Sequence, residues 1–457
     1  NQHRGNLEIR LLLQYYTFGC VYYMSDEADF DFLRSRTLIM RIALVNYRYF
    51  ISGGPERYLF NIKEILERNG HEVIPFSIKG PKNVPTEYEK YFLESVDNQE
   101  YFANTHKTPR TVLRSFSRMF YSFEARRKFR RLLEDTRPDI IYILQYHNKI
   151  SPSILDAARD MGIPIVHRIS DFQYMCPAAI FYVPGKGICE DCLHGKPLSC
   201  VRNKCVLGSR VYSAIKVSAK QLHDRMHISD KIDAFVVPSS FTLSKLAEYG
   251  IPAAKLNHIP TFFNLKETTA APTYGDYFLY VGRLQEEKGV KTLIDAFAET
   301  SYKLKIIGFS NDDYEESLKK SLEGKRHNIE FLGRMNFEQI APYLASCRAT
   351  IVPSVCYDNF PNSVLESFAF SKPVIASDLG SLKELIARGS TGLSFAPGDA
   401  SALRDCVAAL ADDADRARRM GEKAFGLIST VYSHEAHYKT LINLFNQVIS
   451  AKTIQPI

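Results

Sequence analysis

The chain has 457 residues, 45% of them hydrophobic and 24% charged, which is the composition of an ordinary globular protein too long for one core. The net charge of +7 does not by itself indicate nucleic acid, and we expect no nucleic-acid partner; it suits anionic small molecules or an anionic membrane surface. No apolar run reaches the about 18 residues of a membrane-spanning helix, so we expect two domains of a cytoplasmic protein.

Residues 1–39 differ from the rest of the chain. The chain does not begin with Met, and Met40 is followed at once by a strand pattern, as at a natural start. We interpret 1–39 as an extension of unknown role, with a membrane anchor or a targeting helix as the alternative.

From residue 40 onward, short apolar runs alternate with helical patterns, which indicates parallel α/β sheets. The predicted strands fall into two sets, 41–46, 72–76, 140–144, 163–168 and 234–238, then 277–281, 303–307, 329–332, 349–352 and 374–376. A linker pattern at 264–276 separates them, and 433–450 has helical spacing. We therefore expect two domains of similar fold.

The first strand is followed by Gly53 and Gly54, just before the helix predicted at 57–68. Glycine lets a backbone approach a ligand closely, which would suit a phosphate site. A strand-to-helix turn also needs glycine for purely local reasons, so both interpretations stay open.

A basic run with interleaved aromatic residues spans 107–131. Such a helix can lie on an anionic membrane. The alternative is a helix with an apolar face toward the core and a solvated basic back.

Polar side chains follow two strands of the first set. His147 comes after the strand at 140–144, and Ser170 and Asp171 come after the strand at 163–168. The carboxyl ends of parallel strands form the ligand crevice of such sheets. His147 and Asp171 are therefore candidates for acid–base or sugar contacts on the acceptor side, against the alternative of ordinary polar strand ends.

A cysteine-rich segment at 176–205 reads as loop. Cys189, Cys192, Cys200 and Cys205 have a spacing that fits one tetrahedral zinc, whose four thiolates would leave no open position and so mark a structural site. Disulfides are disfavoured in a reducing cytoplasm. Free thiols and a redox or iron–sulfur role remain the alternatives.

The second set opens with a strand followed by a loop that holds Arg283 and Lys288. Two fixed cations can stabilise a departing diphosphate without a metal, so we expect no catalytic metal. Gly308 and Arg334 each follow a later strand and are further candidates for the crevice.

The segment 350–377 reads as a strand, a polar loop, a helix that begins near Asn362 and a second strand. Asp358 and Glu366 lie on either side of the helix start, with seven residues between them. Backbone N–H groups at Asn362 and Ser363 would suit phosphate, and a carboxylate one turn on can accept hydrogen bonds from sugar hydroxyls.

Two patterns carry a family resemblance: Gly-Arg-Leu, three residues, Lys288-Gly, and an acidic residue, seven others, Glu366. They resemble the retaining glycosyltransferases of family four (glycosyl transferases group 1), strongly in the second half and diffusely in the first. The resemblance implies the GT-B fold, two Rossmann-like domains with parallel sheets facing across a cleft. The implied domains are 40–265, with the cysteine-rich insertion 176–205, then 266–432, and a helix at 433–457 that crosses back to the first domain.

The resemblance also implies roles for the candidate residues. Gly53 and Gly54 would lie under the donor diphosphate, which Arg283 and Lys288 would bind. Gly308 would lie near the donor, and Arg334 would mark the site of the base. Glu366 would bind the ribose, and Asp358, one methylene shorter than the family's usual Glu, the transferred sugar.

The function implied is a metal-independent, retaining transfer from a UDP- or GDP-sugar to a glycan or lipid-linked acceptor. The setting would be capsule, O-antigen, lipopolysaccharide or exopolysaccharide assembly, at the inner face of the plasma membrane. The rival interpretations are a GT-B nucleotide-sugar epimerase or phosphorylase, or a non-catalytic GT-B partner subunit.

Overall fold

The computed structural model describes residues 39–96, 108–264, 272–310, 312–387 and 390–454. The extension up to residue 38, the first position of the basic run and much of the linker lie outside the described residues.

The first sheet is wholly parallel. Its strands are Arg41–Val45 (β1), Glu72–Phe76 (β2), Ile140–Ile143 (β3), Ile165–Arg168 (β4), Ala234–Val237 (β7) and Leu256–His258 (β8), in the order β2–β1–β3–β4–β7–β8. Its helices are Gly54–Arg68 (α1), Pro109–Phe120 (α2), Phe123–Thr136 (α3), Ser153–Asp160 (α4), Arg210–Arg225 (α6) and Ser240–Tyr249 (α7). Apolar side chains on both faces of the sheet are buried, which explains why its strands read as continuous apolar runs.

The second sheet is also parallel. Its strands are Tyr277–Val281 (β9), Lys303–Ile307 (β10), Asn328–Gly333 (β11), Ala349–Val352 (β12), Val374–Ser377 (β13) and Gly392–Phe395 (β14), in the order β11–β10–β9–β12–β13–β14. Its helices are Val290–Phe297 (α8), Tyr314–Lys320 (α9), Phe337–Ser346 (α10), Asn362–Ala369 (α11), Gly380–Ala387 (α12), Ala400–Ala411 (α13) and Ala414–Ser429 (α14). All ten predicted strands are confirmed; the additional edge strands β8 and β14 are short and mixed in polarity, so they gave no strand signal.

The last helix, His434–Ile454 (α15), packs on the first sheet. Its Leu441 and Phe445 are buried in the core layer that contains β1. His437 lies 2.8 Å from the Tyr58 hydroxyl of α1. The C-terminal end of the described chain thus contributes to the N-terminal core, while the predicted domain limits remain a prediction.

The cysteine-rich segment is more ordered than the predicted loop. It contains the antiparallel hairpin Tyr182–Val183 (β5) and Gly187–Ile188 (β6), followed by the short helix Leu198–Arg202 (α5). Residues in turn conformations connect these elements, which is why no periodic pattern marked them.

The basic run forms two helices, α2 and α3, because the chain breaks at Tyr121 and Ser122. Ser122 caps α3 by accepting a hydrogen bond from the backbone of Ala125. Several of the basic side chains are paired with carboxylates, as Arg126 is with Asp160 at 2.6 Å. None of the helices in the described part of the chain is long and apolar enough to cross a membrane.

Candidate active site

The strand order of each sheet reverses once, and the predicted site residues lie at these points. In the second sheet the reversal falls between β9 and β12, and in the first between β1 and β3. Loops that leave neighbouring strands in opposite directions open a crevice at such a switch point. Arg283 and Lys288 follow β9, Asp358 follows β12 and His147 follows β3, so the fold brings four predicted residues to the two crevices.

An ion pair joins the two loops of the second crevice. The Lys288 ammonium bonds to Oδ1 of Asp358, and both side chains are largely buried. Burial opposes the charge on Lys288, but the nearby Asp358 carboxylate outweighs it and raises the pKa of Lys288 above its ordinary value. The other carboxylate oxygen, Oδ2, is buried without a hydrogen-bond partner among the described residues. This oxygen is available to a ligand hydroxyl.

Close backbone packing holds the same two loops together. Gly289 has a φ of 68°, and a Cβ there would lie 1.8 Å from the Pro353 carbonyl oxygen, so only glycine fits. The backbone N–H of Val355 donates to the Glu287 carbonyl at 3.0 Å. Arg283 is 55% exposed, and its guanidinium lies 3.8 Å from the Glu287 carboxylate.

Glu366 lies in the first turns of α11 and faces the other half of the fold. Arg57 of α1 donates to its Oε1 at 2.6 Å. The Arg57 guanidinium also lies over the Phe337 ring, 4.6 Å from its centroid. The sequence did not single out Arg57, although its position one turn after Gly54 was a usable signal. A ribose bound at Glu366 would either donate to the same carboxylate beside Arg57 or displace Arg57 from it.

The two glycines after β1 differ in their surroundings. A Cβ on Gly54 would lie 2.3 Å from the amide nitrogen of Asn362, so α1 approaches the start of α11 closely. A Cβ on Gly53 would meet nothing nearer than 3.7 Å, and its backbone is extended. Ser363 follows in the first turn of α11, where its carbonyl accepts a hydrogen bond from Ser367 at 2.6 Å.

Gly308 and Arg334 lie at the ends of β10 and β11. A Cβ on Gly308 would lie 1.9 Å from the Gly282 carbonyl oxygen, so sheet packing alone requires this glycine. Arg334 is exposed and its guanidinium lies 4.7 Å from the Phe309 ring centroid. Gly308 therefore lies against the loop that carries Arg283, and Arg334 lies beside Phe309, whose carbonyl accepts a hydrogen bond from the Leu284 backbone N–H at 2.9 Å.

Asn359 connects the two halves next to Asp358. Its amide nitrogen donates to the Ile169 carbonyl at 3.0 Å, and its amide oxygen accepts from the Thr242 hydroxyl at 2.8 Å. Ile169 directly precedes Ser170 and Asp171. The sequence gave no reason to choose Asn359, because its partners are distant along the chain.

The first crevice contains a cavity of about 250 Å³ lined by His147, Ser170 and Asp171. His147 stacks on Tyr146 with ring centroids 4.0 Å apart, and burial lowers the pKa of His147 well below its ordinary value, so the imidazole is neutral. Asp171 accepts two hydrogen bonds of 2.9 Å from Gln173, and burial raises its pKa despite them. Lys149 and Lys216, which the sequence did not single out, line the same cavity.

The four cysteines of the predicted metal site converge. The Cys200 thiol faces those of Cys192 and Cys205, and Cys189 lies near enough to both for their charges to interact. The cysteine sulfurs are too far apart for three of them to lie within 4.8 Å of one another. In the described part of the chain, the side chains whose potential metal-ligand atoms do lie that close are Glu190, His194 and Glu248. Since Lys245 bonds to both of those carboxylates, at 2.9 and 3.0 Å, we interpret that group as an ion-pair network.

The hairpin of the same segment reaches the second sheet. The Tyr182 hydroxyl and the Gly185 backbone N–H donate to one oxygen of Glu286, at 2.9 and 2.8 Å. Glu286 begins the short 3₁₀ helix that ends at Lys288. The cysteine-rich segment therefore supports the loop that carries the two cations.

Comparisons with known proteins match both halves of the chain. Residues 52–170 match the Glycosyltransferase Family 4 model, and residues 262–426 match the model of Glycosyl transferases group 1. D-rhamnosyltransferase WbpZ of Pseudomonas aeruginosa is 32% identical over 150 residues, which is 32% of this chain and 39% of that protein. Lipopolysaccharide 1,2-N-acetylglucosaminetransferase of Salmonella typhimurium is 27% identical over 233 residues, 46% of this chain and 60% of that protein.

The matched regions cover less than two thirds of the length of these curated relatives. Among solved structures, sucrose-phosphate synthase of Thermosynechococcus elongatus aligns with a TM-score of 0.64 at 19% identity, over 90% of this chain and 100% of that one. Anabaena HepE in complex with UDP aligns with a TM-score of 0.56 at 17% identity, over 91% and 99%. The fold is GT-B, and the comparisons indicate a transferase of the glycosyltransferase class. The cysteine-rich segment lies outside both matched regions.

The close approach of Gly54 to the Asn362 side chain gives a testable prediction. We expect Gly54→Ala to lower turnover about tenfold, because the new Cβ displaces the Asn362 amide at the start of α11. Because only the end of the Asn362 side chain has to turn, we expect the melting temperature to stay unchanged. Gly426→Ala, on α14, where a new Cβ meets nothing within 4 Å, is the control and should keep turnover. Equal activity of the two variants would remove Gly54 and Asn362 from the site.

Proposed function

We propose that the chain transfers a sugar from a UDP- or GDP-sugar to a glycan or lipid-linked acceptor, with retention at the anomeric carbon. The observation that carries this proposal is the buried pair of Lys288 and Asp358, whose unpartnered Oδ2 lies at a switch point. Asn359 ties this point to the cavity of the other half, where an acceptor would lie.

In this proposal the bond between the anomeric carbon and the diphosphate oxygen breaks, and the diphosphate keeps the electron pair. Arg283 and Lys288 stabilise its growing negative charge, as fixed cations in a sheltered site do efficiently. The acceptor hydroxyl attacks from the same face and its proton passes to the departing phosphate. Asp358 accepts a hydrogen bond from a hydroxyl of the transferred sugar through Oδ2.

The nucleotide lies along α11 in this proposal. Backbone N–H groups at Asn362 and Ser363 hold phosphate oxygens, and Glu366 accepts from the ribose hydroxyls in place of Arg57. Gly308 and Arg334 flank the base. Support comes from HepE, which has the same fold and has been solved with UDP and with UDP-glucose.

The setting we propose is surface-polysaccharide assembly on the cytoplasmic face of a membrane. It is supported by the named roles of two relatives, a lipopolysaccharide sugar transferase and an O-antigen chain mannosyltransferase. Leu113 and Phe123, on α2 and α3, are 72% and 75% exposed among basic side chains. We propose that this face contacts anionic lipid.

We also propose that Cys189, Cys192, Cys200 and Cys205 bind one structural zinc. The support is the Cys-x-x-Cys spacing and the convergence of the four thiols; zinc–sulfur bonds of about 2.3 Å would draw the sulfurs closer by rotamer changes. The hairpin of this segment bonds to Glu286, in the loop that carries Arg283 and Lys288, which we call the donor loop. The zinc would therefore stabilise the conformation of the donor loop and take no part in the chemistry.

The donor-loop cations give a direct prediction. We expect Arg283→Ala and Lys288→Ala each to lower turnover by tens-fold or more, a loss of about 2 to 4 kcal/mol of transition-state stabilisation. The measurement is release of free UDP or GDP from a panel of nucleotide sugars. Lys291→Ala, which removes an exposed lysine paired with Asp295 one turn further on, is the control. Near-normal turnover in both variants would overturn the diphosphate assignment, and acceptor-independent isomerisation of the donor would favour an epimerase.

The zinc proposal predicts close to one zinc per chain in protein purified without added metal. Stripping the zinc should raise KM for the donor severalfold with little change in kcat, since the hairpin on Glu286 loosens. Cys200→Ser should purify without zinc, and Cys406→Ser, outside the segment, should keep it. Absence of zinc and iron by elemental analysis, with every thiol titrating freely, would rule the site out.

The membrane proposal predicts co-flotation with phosphatidylglycerol vesicles but not with phosphatidylcholine vesicles. The double variant Leu113→Ser, Phe123→Ser should lose most of the bound fraction. Leu207→Ser removes another exposed leucine, 62% accessible and not part of α2 or α3, and this variant should bind normally. Unchanged flotation of the double variant would contradict a role for this face.

A further inference from the structure

The cavity at the carboxyl end of the first sheet has more positive charge than the proposed transfer reaction requires. Lys149, in the loop after β3, and Lys216, in α6, line it together with Asp171. Burial is the main cause that lowers the pKa of both lysines. Arg48 and Arg118 lower the pKa of Lys149 further, and Lys149 helps to lower the pKa of Lys216 to about 8 against the opposing charge of Asp171. Two ammonium groups thus line one sheltered cavity.

Among the described residues that line the cavity, one carboxylate, that of Asp171, opposes these two charges, and it partly offsets the charge of Lys216. No side-chain hydrogen bond or ion pair within 4 Å is formed by Lys149 or Lys216 in the part of the chain that is described. Asp171 is the carboxylate that lines the cavity, and both of its oxygens accept hydrogen bonds from Gln173. Arg48 and Arg118, the cations beside Lys149, are already paired with Glu56 and Glu124. The cavity thus has an excess of positive charge.

Two neutral groups in the cavity also lack partners. Nε2 of His147 and Oε1 of Gln145 are buried without a hydrogen bond among the described residues. Burying such atoms without a hydrogen-bond partner is unfavourable. A ligand that brings hydroxyl groups and negatively charged oxygens would satisfy the imidazole, the amide and both ammonium groups at once.

We propose that this cavity binds an acceptor sugar that carries an oxyanion, a phosphate or a carboxylate, with Lys149 and Lys216 as its cation pair. The assignment of the ligand as acceptor rests on the proposed function. The chemistry of the cavity does not, because it depends only on the groups that line it. A volume of about 250 Å³ accommodates one sugar unit.

The test measures equilibrium binding of glucose, glucose 6-phosphate and glucuronate to the full chain by calorimetry at low salt. The background is the variant Arg283→Ala, which removes the exposed cation of the loop after β9 and leaves the buried pair of Lys288 and Asp358 intact. We expect at least tenfold tighter binding of one charged sugar than of glucose. Preference for the phosphate or for the carboxylate identifies the source of the oxyanion.

Variants in the same background locate the binding. Lys149→Gln and Lys216→Gln should each weaken it by tenfold or more, and Lys216→Arg should retain it, which separates lost charge from lost folding. Lys220→Gln, one turn further along α6, is the control, since Lys220 is already paired with Asp224 at 2.8 Å. Equal affinity for glucose and both charged sugars, or full affinity in the two Gln variants, would overturn the proposal.

Nucleotide binding to the protein with intact donor loop distinguishes this inference from the function on which it rests. If charged sugars bind through the lysines and neither UDP nor GDP binds, the cavity assignment stands and the transferase proposal fails. If a nucleotide binds and the charged sugars do not, the donor site stands and the acceptor class is wrong.

Discussion

The buried ion pair of Lys288 and Asp358 is the interaction on which the candidate site depends. Neither charge could remain in that position alone, because an unpaired buried charge costs several kcal/mol. The pair therefore fixes the loop after β9 against the loop after β12, as the close approach of Gly289 to Pro353 also does. Arg283 is left half exposed at the same point. Open α/β sheets have such switch points as a matter of topology. Here the two loops place two cations and one available carboxylate oxygen at it.

The two halves meet through polar side chains, some of which a ligand can replace, and through Tyr357, whose ring packs on Phe181 and Phe241. Arg57 and Glu366 form an ion pair across the halves, and Asn359 bonds to the Ile169 carbonyl. Polar contacts of this kind are weaker barriers to domain motion than an apolar interface. Because the proposed ribose partner, Glu366, is already engaged by α1, nucleotide binding would break one contact between the halves as it forms another. Donor binding and the relation of the halves would thus be coupled through one carboxylate.

Much of this architecture could be predicted from local sequence. Apolar runs between helical patterns located the strands, and the spacing of Lys288, Asp358 and Glu366 located the second crevice. Arg57 and Asn359 were missed because their partners lie 309 and 190 residues away, and spacing along the chain has no information on such contacts. The lysines of the cavity were missed for the same reason: Lys216 lies on a helix whose face toward the cavity is set by packing. The hairpin in the cysteine-rich segment has two-residue strands, too short for a period to show.

The cysteine-rich segment contacts the loop that carries Arg283 and Lys288 and leads into the helix that lines the cavity of the first sheet. Its hairpin holds Glu286, two residues before Lys288, and its last cysteine, Cys205, is followed within a few residues by α6, which carries Lys216. The segment lies outside the regions shared with glycosyltransferase families, whereas the donor-loop residues lie inside them. Chemistry common to the fold would then reside in the shared regions. Under the proposed function, the segment would influence the loop after β9 through Glu286 and the cavity through the position at which α6 begins.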